Sequence, residues 1–381
     1  MIEADSTGVQ GAGQLELQSV TTCTASTITS DYAFGVNGYS SSAGGVTAGP
    51  VAIVGRFTAL QGNLENGELD ANVPGQVLQH NSLSGTYATT SESARCTATL
   101  SSQGLPNMTF SVYPVSSSQA FLVEIDDVAS ANSSTPYLSL GSIRTQVGYP
   151  FPTSLSGGFG NGTSVGALSG QYFSATSNNY VPDVAVIAIS TSSGSGNLGV
   201  SLTENRAGTV SNASASSATF IQGDQYGRVA IQGLDQQISP AFYTINGNQA
   251  FCIGGIESNP FFGIVEPQSS GPFSAATIKG SFIQGTFAPS LSSVPNISGV
   301  ISFDGVSAVT GTENESASSR LTITGSYQLT STGATDGSGT MALTSPATFN
   351  GAFYIVSPSE VVMVSTTAGD NNPRVIIIGH E

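Results

Sequence analysis

Apolar and polar residues alternate along most of this chain in short runs separated by Gly, Asn, Pro or Ser. Cys96, Ala98 and Leu100 share one face of a period-2 segment, and Phe121, Val123 and Ile125 share one face of another. Such runs read as β-strands. In the first third of the chain they predict strands near 30–38, 50–60, 66–73, 83–90, 94–100, 107–115, 119–126 and 137–145. Asn66-Gly67, Ser116 to Ser118 and Asp336-Gly337 are expected to form the tight connections. No segment carries a sustained helical stripe, so helix should be scarce.

The pattern also repeats on a longer scale. Phe110–Asp126, Ala241–Glu257 and Ala352–Thr366 align as one β-hairpin. In each, a tyrosine ends the first strand and a polar residue six positions later opens the second: Tyr113 and Gln119, Tyr243 and Gln249, Tyr354 and Glu360. A Gly-x-Tyr strand stands at Gly85–Tyr87 and Gly325–Tyr327, with a weaker counterpart at Gly223–Tyr226. The Arg95–Leu100 strand corresponds to Arg228–Gly233 and, without the arginine, to Thr340–Leu343. Gln18, Gln146 and Gln268 close related junctions, spaced by 128 and 122 residues.

These landmarks predict β units at 30–147, 154–267 and 272–381, with 1–20 as the last hairpin of an incomplete preceding unit, because Met1–Asp5 resembles Leu122–Asp126. Eight sequential strands per unit can close as an up-and-down barrel, which leaves no open edge. A two-sheet sandwich uses the same strands with longer crossings. The expected fold class is therefore all-β, in tandem antiparallel meanders, with barrels preferred to sandwiches.

The start at Asp31–Gly38, the Ser84–Tyr87 strand, the Arg95 strand and the Tyr113–Asp126 hairpin resemble domains of uncharacterised secreted or surface proteins of soil bacteria, of acidobacterial type. Taken as barrels, the units also resemble lipocalins. The first resemblance spans most of the chain, best at 30–146 and 272–381, while 181–217 departs from it. It implies an exported β domain and supplies no catalytic residues.

Composition narrows the function. Charged residues make up 8% of 381, with 24 acidic against 8 basic, a net charge of −16 and a single lysine, Lys279. Phosphate backbones and anionic lipid are held by Lys and Arg, so nucleic-acid and electrostatic membrane partners are excluded. No apolar run is long enough for a transmembrane helix. Met1–Asp5 lacks the basic start and apolar segment of a signal peptide.

Candidate chemistry is sparse. His80 and His380 are the two histidines, neither near a second ligand at motif spacing, and His80 reads as a residue of a solvated turn. Cys23–Cys96 is the candidate disulfide, leaving Cys252 buried alone, with three unpaired core cysteines as the alternative. Glu68, Asp70, Glu124, Asp126, Asp183, Asp235, Asp304 and Glu315 are carboxylates that a glycosidase would need in a pair. If Phe121, Val123 and Ile125 face a core, Glu124 and Asp126 face solvent. Asp126, Asp127 and Asp336 are weak calcium candidates without a full ligand spacing. No cofactor loop is present, and no cofactor is expected. The sequence thus predicts a non-enzymatic secreted or cell-surface module, structural or adhesive, meeting surface or extracellular polymer or copies of itself. The alternatives are a barrel binding a small apolar ligand or a glycan and, behind it, a carboxylate glycosidase.

Overall fold

The computed structural model describes residues 16–40, 48–90, 94–125, 137–151, 162–191, 197–221, 223–233, 240–255, 259–287, 296–315 and 318–379. Among these, 24 strands form three closed antiparallel barrels of eight. The expected barrel form is the one observed, and the sandwich is not.

The first barrel comprises β1 (Asp31–Ser40), β2 (Gly49–Leu60), β3 (Asn63–Val73), β4 (Gln76–Thr89), β5 (Cys96–Ser102), β6 (Met108–Ser116), β7 (Gln119–Glu124) and β8 (Tyr137–Thr145), closed by pairing of β8 with β1. The second comprises β9 (Gly162–Ser174), β10 (Asn179–Thr191), β11 (Asn197–Arg206), β12 (Thr209–Ile221), β13 (Arg228–Gln232), β14 (Pro240–Asn246), β15 (Gln249–Gly254) and β16 (Phe261–Pro267). The third comprises β17 (Gly280–Thr286), β18 (Ile297–Phe303), β19 (Ala308–Glu315), β20 (Ser318–Leu329), β21 (Ser338–Ser345), β22 (Phe349–Ser357), β23 (Glu360–Ser365) and β24 (Val375–Gly379).

Alternation fills each interior. Phe34, Ile53, Phe110, Val112 and Leu122 meet inside the first barrel, and Phe220, Phe242 and Cys252 inside the second. The segment leading into a barrel also plugs it. Cys23 and Ile28 join the first core, and the Tyr87 hydroxyl donates to the carbonyls of Ala25 and, at 2.6 Å, Ile28. In the third barrel Phe273 and Ile278 do the same around a single 3₁₀ turn, Ala275–Ile278, whose Ala275 carbonyl accepts from the Tyr327 hydroxyl at 3.0 Å. In the second barrel the matching register position, opposite Ile231, is Phe220, as Tyr87 stands opposite Ala98 and Tyr327 opposite Met341. Gly223–Tyr226 is therefore not the Gly-x-Tyr counterpart that spacing suggested.

Several other local expectations are corrected. The turn between β2 and β3 lies at Gln61 and Gly62, both at positive φ, whereas Asn66-Gly67 sits inside β3 as a bulge with Asn66 at φ 48°. His80 belongs to β4, not to a turn, and its φ of 54° marks a second bulge that turns its side chain toward the neighbouring barrel. In β7 the expected facing is inverted: Ala120, Leu122 and Glu124 point inward, and Glu124 Oε2 accepts from Ser139 Oγ at 2.5 Å. Phe121, Val123 and Ile125 point out. Cys23 and Cys96 are bridged, with Cα atoms 5.6 Å apart, and Cys252 is a buried free thiol.

Outward apolar faces join the barrels side by side. Ala33, Ala52 and Val54 of the first pack on Tyr243, Ile245, Phe251, Ile253 and Phe262 of the second. A Cβ on Gly35 would strike the Phe262 and Phe251 rings, so the bare backbone is what lets β1 approach. Val165, Ala167, Val184 and Val186 of the second pack on Tyr354, Val362, Val364 and Val375 of the third. The same hydrogen bond stands in both seams: Asn72 Nδ2 donates to the Gly254 carbonyl at 3.0 Å, and Asn205 Nδ2 to the Ser365 carbonyl at 2.8 Å.

The junction glutamines fasten these seams. Gln146 Nε2 donates to the carbonyls of Thr244 at 2.8 Å and Tyr226 at 3.2 Å, and the Val147 amide to Ile245. Gln268 Nε2 donates to Ile355 at 2.6 Å and Asp336 at 2.7 Å, and the Ser269 amide to Val356. Gln18 Nε2 donates to Pro114 at 2.6 Å and Ala94 at 3.3 Å, and the Ser19 amide to Val115. Each glutamine thus grips the β6-type strand of the barrel that follows it.

Candidate functional site

The densest polar cluster lies at the seam of the first two barrels. β3 brings Glu68 and Asp70, the β4 bulge brings His80, and the turn before β13 brings Asp224. Arg228 opens β13 and reaches Asp70 in a two-pronged pair, Nε to Oδ1 at 2.8 Å and Nη2 to Oδ2 at 2.6 Å. Burial opposes the Arg228 charge, but the hydrogen bond and charge of Asp70 more than offset it and strengthen its hold on the proton. The Tyr243 hydroxyl lies 3.1 Å from Asp70 Oδ1 and 3.2 Å from Glu68 Oε1, and burial followed by these acids raises its pKa.

His80 Nδ1 is 3.4 Å from Glu68 Oε1 and 3.7 Å from Asp224 Oδ2. Asp224 Oδ1 accepts from the Tyr226 and Arg228 amides, whereas its shielded Oδ2 accepts no hydrogen bond. Glu68 is pushed up to about 8, first by burial and then by the Asp224 carboxylate. Glu68 therefore holds its proton at neutral pH. One ligand atom each from Glu68, His80 and Asp224 lies within 4.8 Å of the others, a spacing that a small divalent cation could bridge in place of that proton.

A second acid pair closes one end of the second barrel. Arg206 Nε donates to Asp183 Oδ2 at 3.1 Å and Nη2 to Glu204 Oε1 at 2.6 Å, under the Tyr172 ring. Burial and then Glu204 push Asp183 up to about 8. Raised carboxyls suit acid catalysis only where substrate can reach them. The cavity beside Asp183 and Glu204 is about 10 Å³, and one between the barrels at Asn37 and Phe262 is about 20 Å³. Each holds roughly one water.

Asp126, Asp127, Asp235 and His380 lie outside the described residues, as do 1–15 of the segment read as an incomplete unit. Asp336 ends a one-turn helix, its Oδ1 accepting from the Ser338 amide at 2.9 Å, which is turn chemistry. Tyr243 and Tyr354 are buried in the seams, while Tyr113 is exposed. Gln119 Nε2 donates to Glu16 Oε1 at 3.0 Å, and Gln249 Nε2 to Glu266 Oε2 at 2.5 Å. Glu266 also lies 3.4 Å from Arg144 Nη1, and Glu360 feels the same guanidinium.

Sequence reasoning missed the Glu68–His80–Asp224 grouping because its members are far apart along the chain. The available signal was Asp224-Gln-Tyr-Gly-Arg228, an Asx turn that fixes its first and last residues together.

No protein-family model matches the chain, and no curated protein sequence matches it. Among solved structures, transferrin binding protein B of serogroup B Neisseria meningitidis is similar at 10% identity and a TM-score of 0.24, over 92% of this chain and 76% of that one. Kievitone hydratase of Nectria haematococca is similar at 8% identity and 0.22, over 61% and 94%. A DUF3598-family protein of unknown function from Nostoc punctiforme is similar at 11% and 0.18, over 57% and 94%. The function must be argued from the molecule itself.

Proposed function

We propose that this chain is a non-catalytic module of the cell surface or extracellular matrix, in which each barrel is one folding unit, near 30–147, 154–267 and 272–381. The observation that carries the reading is that side chains fill the barrels. Their cores close around Phe34, Phe110, Phe220 and Phe353, and the cavities beside the acid pair and in the seam admit about one water each. A ligand-binding barrel needs a hollow interior and an open mouth.

The Cys23–Cys96 bridge supports an oxidising compartment. Among the described residues no helix is long and apolar enough to cross a membrane. The acidic, lysine-poor composition supports solubility beside anionic envelopes. The test is retention of the purified chain on cell envelopes and on insoluble extracellular polysaccharide, beside a turnover screen on polysaccharides, esters and peptides. Retention without turnover is expected. Turnover abolished by Asp183→Asn or Glu68→Gln would replace the reading with an enzyme.

A further inference from the structure

The two seams inside the chain define a docking rule. The β6–β8-type face of one barrel covers the β1–β3-type face of the barrel before it. Applied to the end barrels, the rule leaves one face of each kind uncovered.

On the first barrel, Tyr113 pairs with Phe121 as Tyr243 does with Phe251 and Tyr354 with Val362. Val123 pairs with Leu140 as Ile253 does with Phe262 and Val364 with Val375. Val123 is 43% exposed and Leu140 56%, against 1% for Ile253 and 0% for Val364 and Val375. Tyr113 and Ile125 are exposed beside them. Three of these groups, Tyr113, Val123 and Leu140, thus face outward where their counterparts are sealed.

The third barrel carries the other half. Ile283 pairs with Val300 as Ala33 does with Arg56 and Val165 with Ala188. Ile283 is 54% exposed and Val300 46%, whereas Ala33, Arg56 and Val165 are 0% and Ala188 8%.

We propose that copies of this chain associate head to tail, the β6–β8 face of one copy's first barrel covering the β17–β19 face of another copy's third barrel. The inference deepens the surface-module reading by naming a partner, and rests on it. Because the two faces differ, the contact is heterologous, and the geometry allows an open series rather than an obligatory closed dimer. A net charge of −16 on each copy opposes assembly, so added salt should favour it.

Sedimentation of the full chain over a concentration series tests the proposal. The mean mass should climb from 38.5 kDa through multiples of it, and further at higher salt. Val123→Glu with Leu140→Glu, and separately Ile283→Glu with Val300→Glu, should each leave a monomer with an unchanged far-ultraviolet spectrum. Mixed one to one, the two variants each keep one intact face and should stop at a dimer. If a variant misfolds, Leu140→Ser and Ile283→Ser repeat the experiment more gently.

A chain that stays monomeric throughout would overturn the proposal, and would point to another occupant such as a further barrel on a longer chain. Association that survives both variants, or that only the first-barrel variant removes, would overturn it as well. The outcomes separate from those of the surface assay. A chain that assembles without retention on envelopes keeps the interface and loses the adhesive reading, and a retained monomer does the reverse.

Discussion

Glu266 shows how little positive charge holds the barrels together. Burial lifts it to about 7, Arg144 and the Gln249 amide pull the other way, and Glu360 adds to the rise. From its ordinary 4.5 up to about 7 the folded chain keeps a proton that the unfolded chain has released. Stability therefore falls as pH rises through that window and levels off above it. The slope is worth about 2–3 kcal/mol for a group this enclosed. Glu266→Gln should flatten that part of the dependence, read as thermal midpoints at pH 5 and pH 8. An unchanged slope would mean that Glu266 is ionised throughout.

Gln146 sits at the same scale with a larger role. Besides gripping two carbonyls, its Oε1 accepts at 3.1 Å from Nε of Arg56, a fully buried guanidinium that also holds Asp31 at 2.5 Å. Gln146→Ala removes three hydrogen bonds and strands a buried donor, a loss of about 2–4 kcal/mol. Calorimetry should show the transition of the first two barrels moving down while that of the third stays in place.

Among the elements, the sixth and seventh strands of every barrel share a register down to the bulge. Each hairpin slips between the same positions, Pro114 and Ser116, Thr244 and Asn246, Ile355 and Ser357. The hairpin, the barrel and most strands were readable in the sequence because period 2, turn residues and the six-residue offset are local properties. Facing was not. In β7 both faces carry apolar residues, since one lines a core and the other can meet a neighbour, so alternation alone cannot choose between Leu122 and Val123. Glu124 looked solvated for the same reason, although Ser139 satisfies it inside.

The polar clusters were hidden by a different cause. Glu68, His80 and Asp224 meet only because two barrels pack, and His80 is swung into place by a left-handed residue in a strand. Nothing in a period-2 pattern marks such a bulge. The asparagines at 72 and 205 could have been found by aligning third strands, a comparison that hairpin and glutamine landmarks overshadow.

At the scale of the whole molecule, the disulfide gives the first barrel a property its neighbours lack. It joins a lead-in plug to β5 across 73 residues, and it belongs to that barrel alone. Reduction should lower the first barrel's transition by about 2–4 kcal/mol and leave the third unchanged.

Tension gives the same bond a further role. In the first barrel the chain arrives at Asp31 beside the point where it departs at Thr145, because Tyr32 and Thr145 are paired. A pull on the two ends thus peels β1 from β8 one rung at a time, a weak arrangement, and the glutamine grips must slip before it begins. Once peeling starts, the thread between Cys23 and Cys96 stays looped, and the first barrel pays out less slack than the others. Single-molecule stretching should record one short release among longer ones of about 3.5 Å per freed residue. A reductant should lengthen that one release and no other, so the bond acts as a brake on extension, set in the leading barrel.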